Sequence, residues 1–353
     1  MKKSNYVGHL AKAPRDFNKP NFNLGSRDMV KALINASFEN QGGMVTNTHR
    51  ASLPALKHFI SFIKTNTPVK RLNEIEKQHV VSFGEFLKNN ADEELLSPAT
   101  ARDYLSHVNR ALAQARGDEA CVVNATRDLG FTPKSGIATL DGSVKEALHE
   151  KVLPKVTPEV GFVMQLQRAF GVRFREGALL DASRVLEELH RGRAPMLLRG
   201  TKGGQSRPLP VDSEEKYRLL VRVAAFQQSL GQDSLIPSHM SFKAFQSDAW
   251  RQTKQADTSY LSHGERKHFA CETYYQLMSV RCPVQANVAH GKKHHQYIAS
   301  TLNISEAEAK QRDYEVRLTI SKQLGHHRVS ITNAYLGSGS SCSKFQKYDR
   351  IAW

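Results

Sequence analysis

Apolar residues recur at helical spacing along most of the chain. Met29, Leu33 and Ile34 mark one helix after Ser26. Leu53, Leu56, Phe59, Ile60 and Ile63 mark a second, capped by Thr46 or Thr48. A third stripe, from Leu72 to Lys88, carries Ile75, Val80, Phe83, Phe86 and Leu87. Ser97-Pro98 opens a fourth with Tyr104, Leu105, Val108 and Leu112, proline being favoured in a first helical turn. Residues 26–116 therefore predict a small helical bundle with short loops. Residues 1–25 are rich in Lys, Asn, Pro and Gly without apolar periodicity. They read as a flexible basic arm, either touching a polyanion or disordered.

The rhythm breaks over residues 117–156. Gly117-Asp118, then Gly130 to Gly142 with Pro133, predict an interdomain linker, with a short helix in SVKEALHEKVLP. Thr157-Pro158-Glu159 opens a second domain over 157–340, with a capping Thr and a buried helix from Val160 to Phe170. In APMLLRGTKGGQSRPLPV two extended runs flank Gly203-Gly204, a hairpin signal. The rest reads as helix, followed by a C-terminal tail at 341–353. The expected fold is mainly α with one small β-hairpin.

Charge narrows the partner. Fifty Lys and Arg against 34 Asp and Glu leave a formal +16. Nucleic acid is the leading partner for such an excess, because each neutralised phosphate releases counterions. For any single residue among Arg50, Lys57, Lys64, Lys70, Arg71 and Lys77, a solvated face is the default account. The cysteines Cys121, Cys271, Cys282 and Cys342 form no CxxC pair, so no zinc site or disulfide framework is indicated and a reducing, cytoplasmic compartment is expected. The N-terminus has no apolar core of a signal peptide, and no 18-residue apolar run predicts a membrane span.

The chemistry-bearing residues lie in the second domain, in order. They are Arg173 in Gly171-Val172-Arg173-Phe174-Arg175-Glu176, Lys202 in Gly200-Thr201-Lys202-Gly203-Gly204, and His263 and Arg266 in His263-Gly264-Glu265-Arg266. His326 follows in Leu324-Gly325-His326, and Tyr335 comes nine residues later, with Thr332 three residues before it. Each fragment alone is weak: an isolated arginine defaults to a salt bridge, an isolated histidine to a surface or core position, and a lysine before Gly-Gly to turn chemistry. Together they suit reversible cleavage of a phosphodiester. Fixed guanidinium groups match phosphate oxygens, and a proton donor can serve the leaving oxygen. A phenol is a moderate leaving group, so a covalent phosphotyrosine stores the bond for rejoining.

The six positions resemble, in order and in His-to-Tyr spacing, the catalytic motifs of the tyrosine recombinase (phage-type integrase) family, over residues 157–340. The resemblance implies a core-DNA-binding, SAM-like bundle at 26–116 followed by the catalytic domain. It also implies roles. Arg173 and Arg266 would grip the scissile phosphate, with Glu176 supporting Arg173. Lys202 would protonate the leaving 5′ oxygen, and His263 would hydrogen-bond the phosphate or help take the tyrosine proton. His326, in preference to the adjacent His327, would help position the phosphate. Tyr335 would be the nucleophile, in place of Tyr274, Tyr275, Tyr297, Tyr314 or Tyr348; Tyr274 and Tyr275 are expected to pack inside their helix. No metal or other cofactor is implied. The implied partners are double-stranded DNA sites, further copies in a tetramer acting through a Holliday junction, and accessory DNA-bending or directionality proteins. The tail, with Phe345, Ile351 and Trp353, would dock on a neighbouring subunit or on its own domain. The implied role is integration or excision of a mobile element. A type IB topoisomerase shares the chemistry, and a catalytically silent DNA-binding relative is the alternative from another class.

Two features depart from the family pattern. Glu265 stands where the family usually has an apolar residue, with Lys267 its nearest partner in sequence. The 60 residues from Arg266 to His326 exceed the usual gap, implying an insertion around 281–309. That segment contains HGKKHHQY, read as a basic DNA-facing loop in preference to a metal site.

Overall fold

The computed structural model describes residues 6–133, 136–201, 204–326 and 328–338. The chain divides into two compact units, Met1–Lys134 and Ser135–Trp353. Among the described residues the architecture is mainly α-helical with one two-stranded sheet.

The first unit is the expected bundle: α1 (Met29–Glu39), α2 (Asn47–Asn66), α3 (Lys77–Asp92) and α4 (Pro98–Arg116). The side chains of Asp28, Thr46 and Ser97 accept from backbone N–H groups three residues on, capping α1, α2 and α4. Leu33, Leu56, Phe59, Ile60, Phe83, Leu105 and Leu112 meet in one core, none more than 1% exposed.

Residues 6–25 do not form the flexible arm that composition suggested for 1–25. From Tyr6 onward they are held against this bundle, with Phe22 and Leu24 buried in its core. Two asparagines act as clips, Asn21 within this segment and Asn35 from α1. Asn35 Oδ1 accepts from Tyr6 Oη at 2.5 Å and from His9 N at 3.0 Å, and its Nδ2 donates to Leu24 O at 2.7 Å. Buried Asn21 donates to Ser26 O and Arg27 O and accepts from Leu72 N.

The linker is shorter than expected for a similar reason. Cys121, Val123, Leu129 and Phe131 belong to the core of the first unit, whereas Val144 and Val152 belong to the second. Asn109 holds both the N–H and the C=O of Val123.

The second unit runs α5 (Glu146–Val152), α6 (Pro158–Phe170), α7 (Phe174–Ala178), α8 (Ala182–His190), β1 (Met196–Leu197), β2 (Arg207–Pro208), α9 (Glu214–Ser229), α10 (Phe242–Ala256), α11 (His263–Met278), α12 (Pro283–Ala286), α13 (Lys292–Leu302), α14 (Glu306–Gln323) and α15 (Asn333–Leu336). Thr157 precedes α6 without a side-chain capping bond; its N–H donates to Gln252 Oε1 instead. The strands pair antiparallel, Met196 with Pro208 and Leu197 with Arg207, forming the predicted hairpin. One core gathers around α6, α8, α9 and α10, and another around α11, α13, α14 and α15.

The segment expected as a DNA-facing loop around 281–309 is instead largely helical, through α12, α13 and the start of α14. His294 and Ile298 turn inward at helical spacing and are fully buried. No group of three or more metal-ligating side chains occurs among the described residues. No described helix is long and apolar enough to cross a membrane. The 341–353 tail lies outside the described residues.

Phe83 is fully buried against the rings of Phe59 and Phe62, at 5.1 and 5.4 Å between centroids. Phe83→Ala should cost the first unit about 3–5 kcal/mol in urea denaturation, whereas Leu95→Ala, at a side chain 72% exposed, should stay within about 0.5 kcal/mol.

Candidate active site

Six of the sequence-selected side chains converge inside the second unit. Tyr335 sits on α15 and is 8% exposed. Its Oη accepts a hydrogen bond from Arg266 Nε at 3.2 Å. Arg266 is itself fully buried. It also donates to the backbone carbonyls of Gly171 and of Leu324, the latter at 2.6 Å, so its plane is fixed on three sides. These carbonyls belong to the G-x-R and L-G-H motifs, so Arg266 ties both segments to α11. His326 Nε2 lies 3.5 Å from Nη2 of both Arg266 and Arg173. The His263 ring is 5.9 Å from that of Tyr335.

Glu176 organises the cations. Its Oε1 accepts from Arg173 Nη1 at 2.6 Å, and its Oε2 from Arg173 N at 2.7 Å and Arg207 Nη2 at 2.8 Å. Arg266 Nη1 lies 3.9 Å from Oε2. Burial alone would raise the Glu176 carboxyl, but Arg207 and Arg173 outweigh it and hold it below the usual carboxylate range. Three guanidinium groups against one carboxylate leave two positive charges uncompensated within this cluster, beside the phenol oxygen.

The cost of this gathering is visible in neighbouring groups. Burial first, then the nearby Arg173 and Arg207, lower the Arg266 guanidinium to about 10, still charged at neutral pH. Packing, followed by the charges of Arg266, Lys267 and Arg173, lowers His263 to about 4. This imidazole is exposed at the surface, so the burial effect is discounted, but the surrounding cations act in the same downward direction and leave it neutral at pH 7.

Two motif glycines have steric causes. Gly171, at φ +59°, ends α6; a Cβ there would lie 2.3 Å from Phe269 Cδ1. Gly325, at φ +70°, would place a Cβ 2.4 Å from Arg207 Cδ. Its lack of a side chain lets the buried Arg207 pass to Glu176 and to the carbonyl of Gln323.

Glu265 turns away from the cluster and is fully buried. Its partners are His149 Nδ1 at 2.8 Å, Arg168 Nη1 at 2.7 Å and Tyr260 Oη at 3.1 Å; the Lys267 partnership suggested by proximity in sequence is replaced by this set. A charged residue is tolerated there because Arg168 supplies the compensating charge. Tyr274 packs as expected and donates to Asp313, whereas Tyr275 is 40% exposed beside Arg281. Lys202, His327 and Tyr348 lie outside the described residues.

Sequence reasoning missed Arg207 and Arg317. Arg207 stands among proline and serine with no spacing relation to the other motifs. Arg317 lies nine residues before His326 on a charged helix, where nothing distinguishes it from a solvated arginine. Yet it is 2% exposed and donates to Asp313, Thr332 and Asn333.

Residues 29–128 match the family model described as the phage integrase SAM-like domain. No curated protein sequence matches the chain. Among solved structures, it is similar to a lambda integrase tetramer bound to a Holliday junction, with 14% identity over 80% of this chain and 76% of that one, at a TM-score of 0.48. It is also similar to a lambda integrase dimer bound to a COC' core site, with 15% identity over 78% and 74% of the two chains, at 0.48. XerA recombinase is similar at 13% identity over 91% and 99%, with a TM-score of 0.34.

Because Glu176 is depressed in the fold, its stabilising contribution is full above the unfolded carboxyl value near 4.3 and is lost as pH falls through the lower folded value. Thermal melts should therefore show Glu176→Gln less stable than wild type at pH 7, with the gap shrinking below about pH 4. A gap that stays constant from pH 7 to 3 contradicts the ionic role.

Proposed function

We propose that this chain, whose residues 29–128 match the phage integrase SAM-like domain, is a tyrosine recombinase that cuts and rejoins double-stranded DNA through Tyr335. The observation that carries this reading is the Arg266 Nε to Tyr335 Oη hydrogen bond at 3.2 Å, inside the cluster of Arg173, His263 and His326. A buried phenol directed at a fixed guanidinium, with surplus positive charge around it, suits a nucleophile meeting an anionic diester.

In this reading Arg173 and Arg266 bind the non-bridging oxygens of the scissile phosphate, and His326 adds a contact beside them. Tyr335 Oη attacks phosphorus and gives up its proton, with neutral His263 as the acceptor. The bond from phosphorus to the 5′ oxygen breaks, and Lys202 protonates that oxygen. The products are a 3′-phosphotyrosyl link and a free 5′ hydroxyl. Attack by a partner strand's 5′ hydroxyl then releases Tyr335 and restores a diester, so the number of phosphoester bonds is conserved and no nucleotide energy source is needed. Two duplex sites held by four copies, exchanging strands through a Holliday junction, would make this integration or excision of a mobile element.

The test uses a pool of nicked duplexes with randomised centres, in which the short strand 3′ of the cut diffuses away and traps the covalent adduct. Wild-type protein should form an adduct resistant to denaturation, and Tyr335→Phe should form none. An adduct in the Phe variant would overturn the choice of nucleophile; none with wild type would overturn the enzymatic reading. Paired recovered sites in one plasmid should then recombine; relaxation of supercoils without recombination would favour topoisomerase action.

Lys202→Ala should slow cleavage about 10²–10⁴-fold, the usual scale of general acid catalysis. A sulfur in place of the bridging 5′ oxygen, which leaves without needing a proton, should restore most of the rate.

A further inference from the structure

We propose that Arg317 is a positioning residue for Tyr335: held by Asp313, it fixes the Thr332–Asn333 entry to α15 and so sets where the phenol stands. The proposal rests on the reading of Tyr335 as nucleophile. Arg317 Nε donates to both carboxylate oxygens of Asp313, at 3.0 and 2.8 Å. Its Nη1 reaches Thr332 Oγ1 at 3.3 Å and Asn333 Oδ1 at 3.1 Å. Thr332 is fully buried and donates to Val329 O at 2.6 Å. Asn333 is the first residue of α15, two before Tyr335.

Stability alone is a poor account of this arginine. Its Nη2 is buried without a hydrogen-bond partner among the described residues. Removing two charges from water offsets most of what their pairing contributes, so an apolar pair would serve a core equally well. A planar donor group joining an anchored carboxylate to two side chains of a short helix instead restricts orientation. Such restriction matters here because α15 is one turn long and holds itself only weakly.

Asp313 is anchored in turn. It accepts from Tyr274 Oη at 2.5 Å, and His294 and His295 of α13 lie 3.8 and 3.5 Å from its oxygens. Burial would raise the Asp313 carboxyl, but Arg317 and Tyr274 hold it lowered and ionised. The histidine-rich segment thereby gains a function: α13 backs the carboxylate that holds the arginine that holds the nucleophile helix.

The experiment is single-turnover cleavage by the full chain of a nicked duplex recovered from the randomised pool, alongside DNA affinity and thermal melting. Arg317→Ala should slow covalent adduct formation on the order of 10–100-fold, the scale of an ångström-sized misplacement, with affinity unchanged within about twofold. Arg317→Lys, or added guanidinium with the Ala variant, should recover part of the rate. The sulfur-leaving substrate should not, because leaving-group protonation is intact. Thr332→Val and Asn333→Ala each remove one Arg317 contact while sparing the buried pair, the former also losing the bond to Val329 O, and should slow cleavage by smaller factors. They decide the matter on the same criteria if Arg317→Ala fails to fold.

Folded variants that cleave at the wild-type rate would overturn the proposal. So would losses matched by weaker DNA binding, or full rescue by the sulfur substrate. Failure of the underlying reading looks different: wild-type protein would form no adduct at all, removing Tyr335 as nucleophile and its positioning with it.

Discussion

Arg173, Arg207 and Arg266 crowd around one buried carboxylate, Glu176, and much of the second unit follows from keeping them there. Like charges at such separations repel by several kcal/mol in a partly desolvated site, so each needs its own restraint. Arg266 is restrained by two backbone carbonyls and the Tyr335 oxygen. Arg207 is restrained by Glu176 and the carbonyl of Gln323, reached across the bare backbone of Gly325. Arg173 alone of the three keeps appreciable exposure, at 26% of its side chain.

A second layer of buried charge lies behind the first. Glu265 with Arg168 and His149 anchors the start of α11, where His263 and Arg266 begin. Asp313 with Arg317 anchors the start of α15, where Tyr335 stands. Both pairs are partnered through directional bonds, and directional bonds define orientation better than apolar packing of equal volume does. The site is therefore preorganised: its charges are already oriented and held by their own partners.

Much of this was legible in the sequence, for identifiable reasons. The four-helix bundle was readable because apolar residues recur at helical spacing within each stripe, as in Leu56, Phe59, Ile60 and Ile63, and because Thr46 and Ser97 sit at cap positions; the cap of α1, Asp28, was seen only in the structure. The assembly of Arg173, Glu176, His263, Arg266, His326 and Tyr335 was readable from motif order, which local spacing preserves. Arg207 and Arg317 were not, because their partners lie at unrelated positions and only the fold brings them together. Residues 6–25 were misjudged because asparagine and proline signal irregular backbone, not mobile backbone; Asn21 and Asn35 satisfy that irregular backbone from their side chains. The segment around 281–309 misled similarly, since its histidines and lysines hid the helical spacing of His294 and Ile298.

The proposed chemistry requires the charge cluster to deliver one particular phenol to a phosphodiester. Mass spectrometry of the protease-digested DNA adduct tests it most directly. A nucleotide should be found linked through its 3′ phosphate to the peptide containing Tyr335 and to no other tyrosine peptide. A linkage on Tyr275, Tyr297 or Tyr314, or on a serine or histidine, would contradict it.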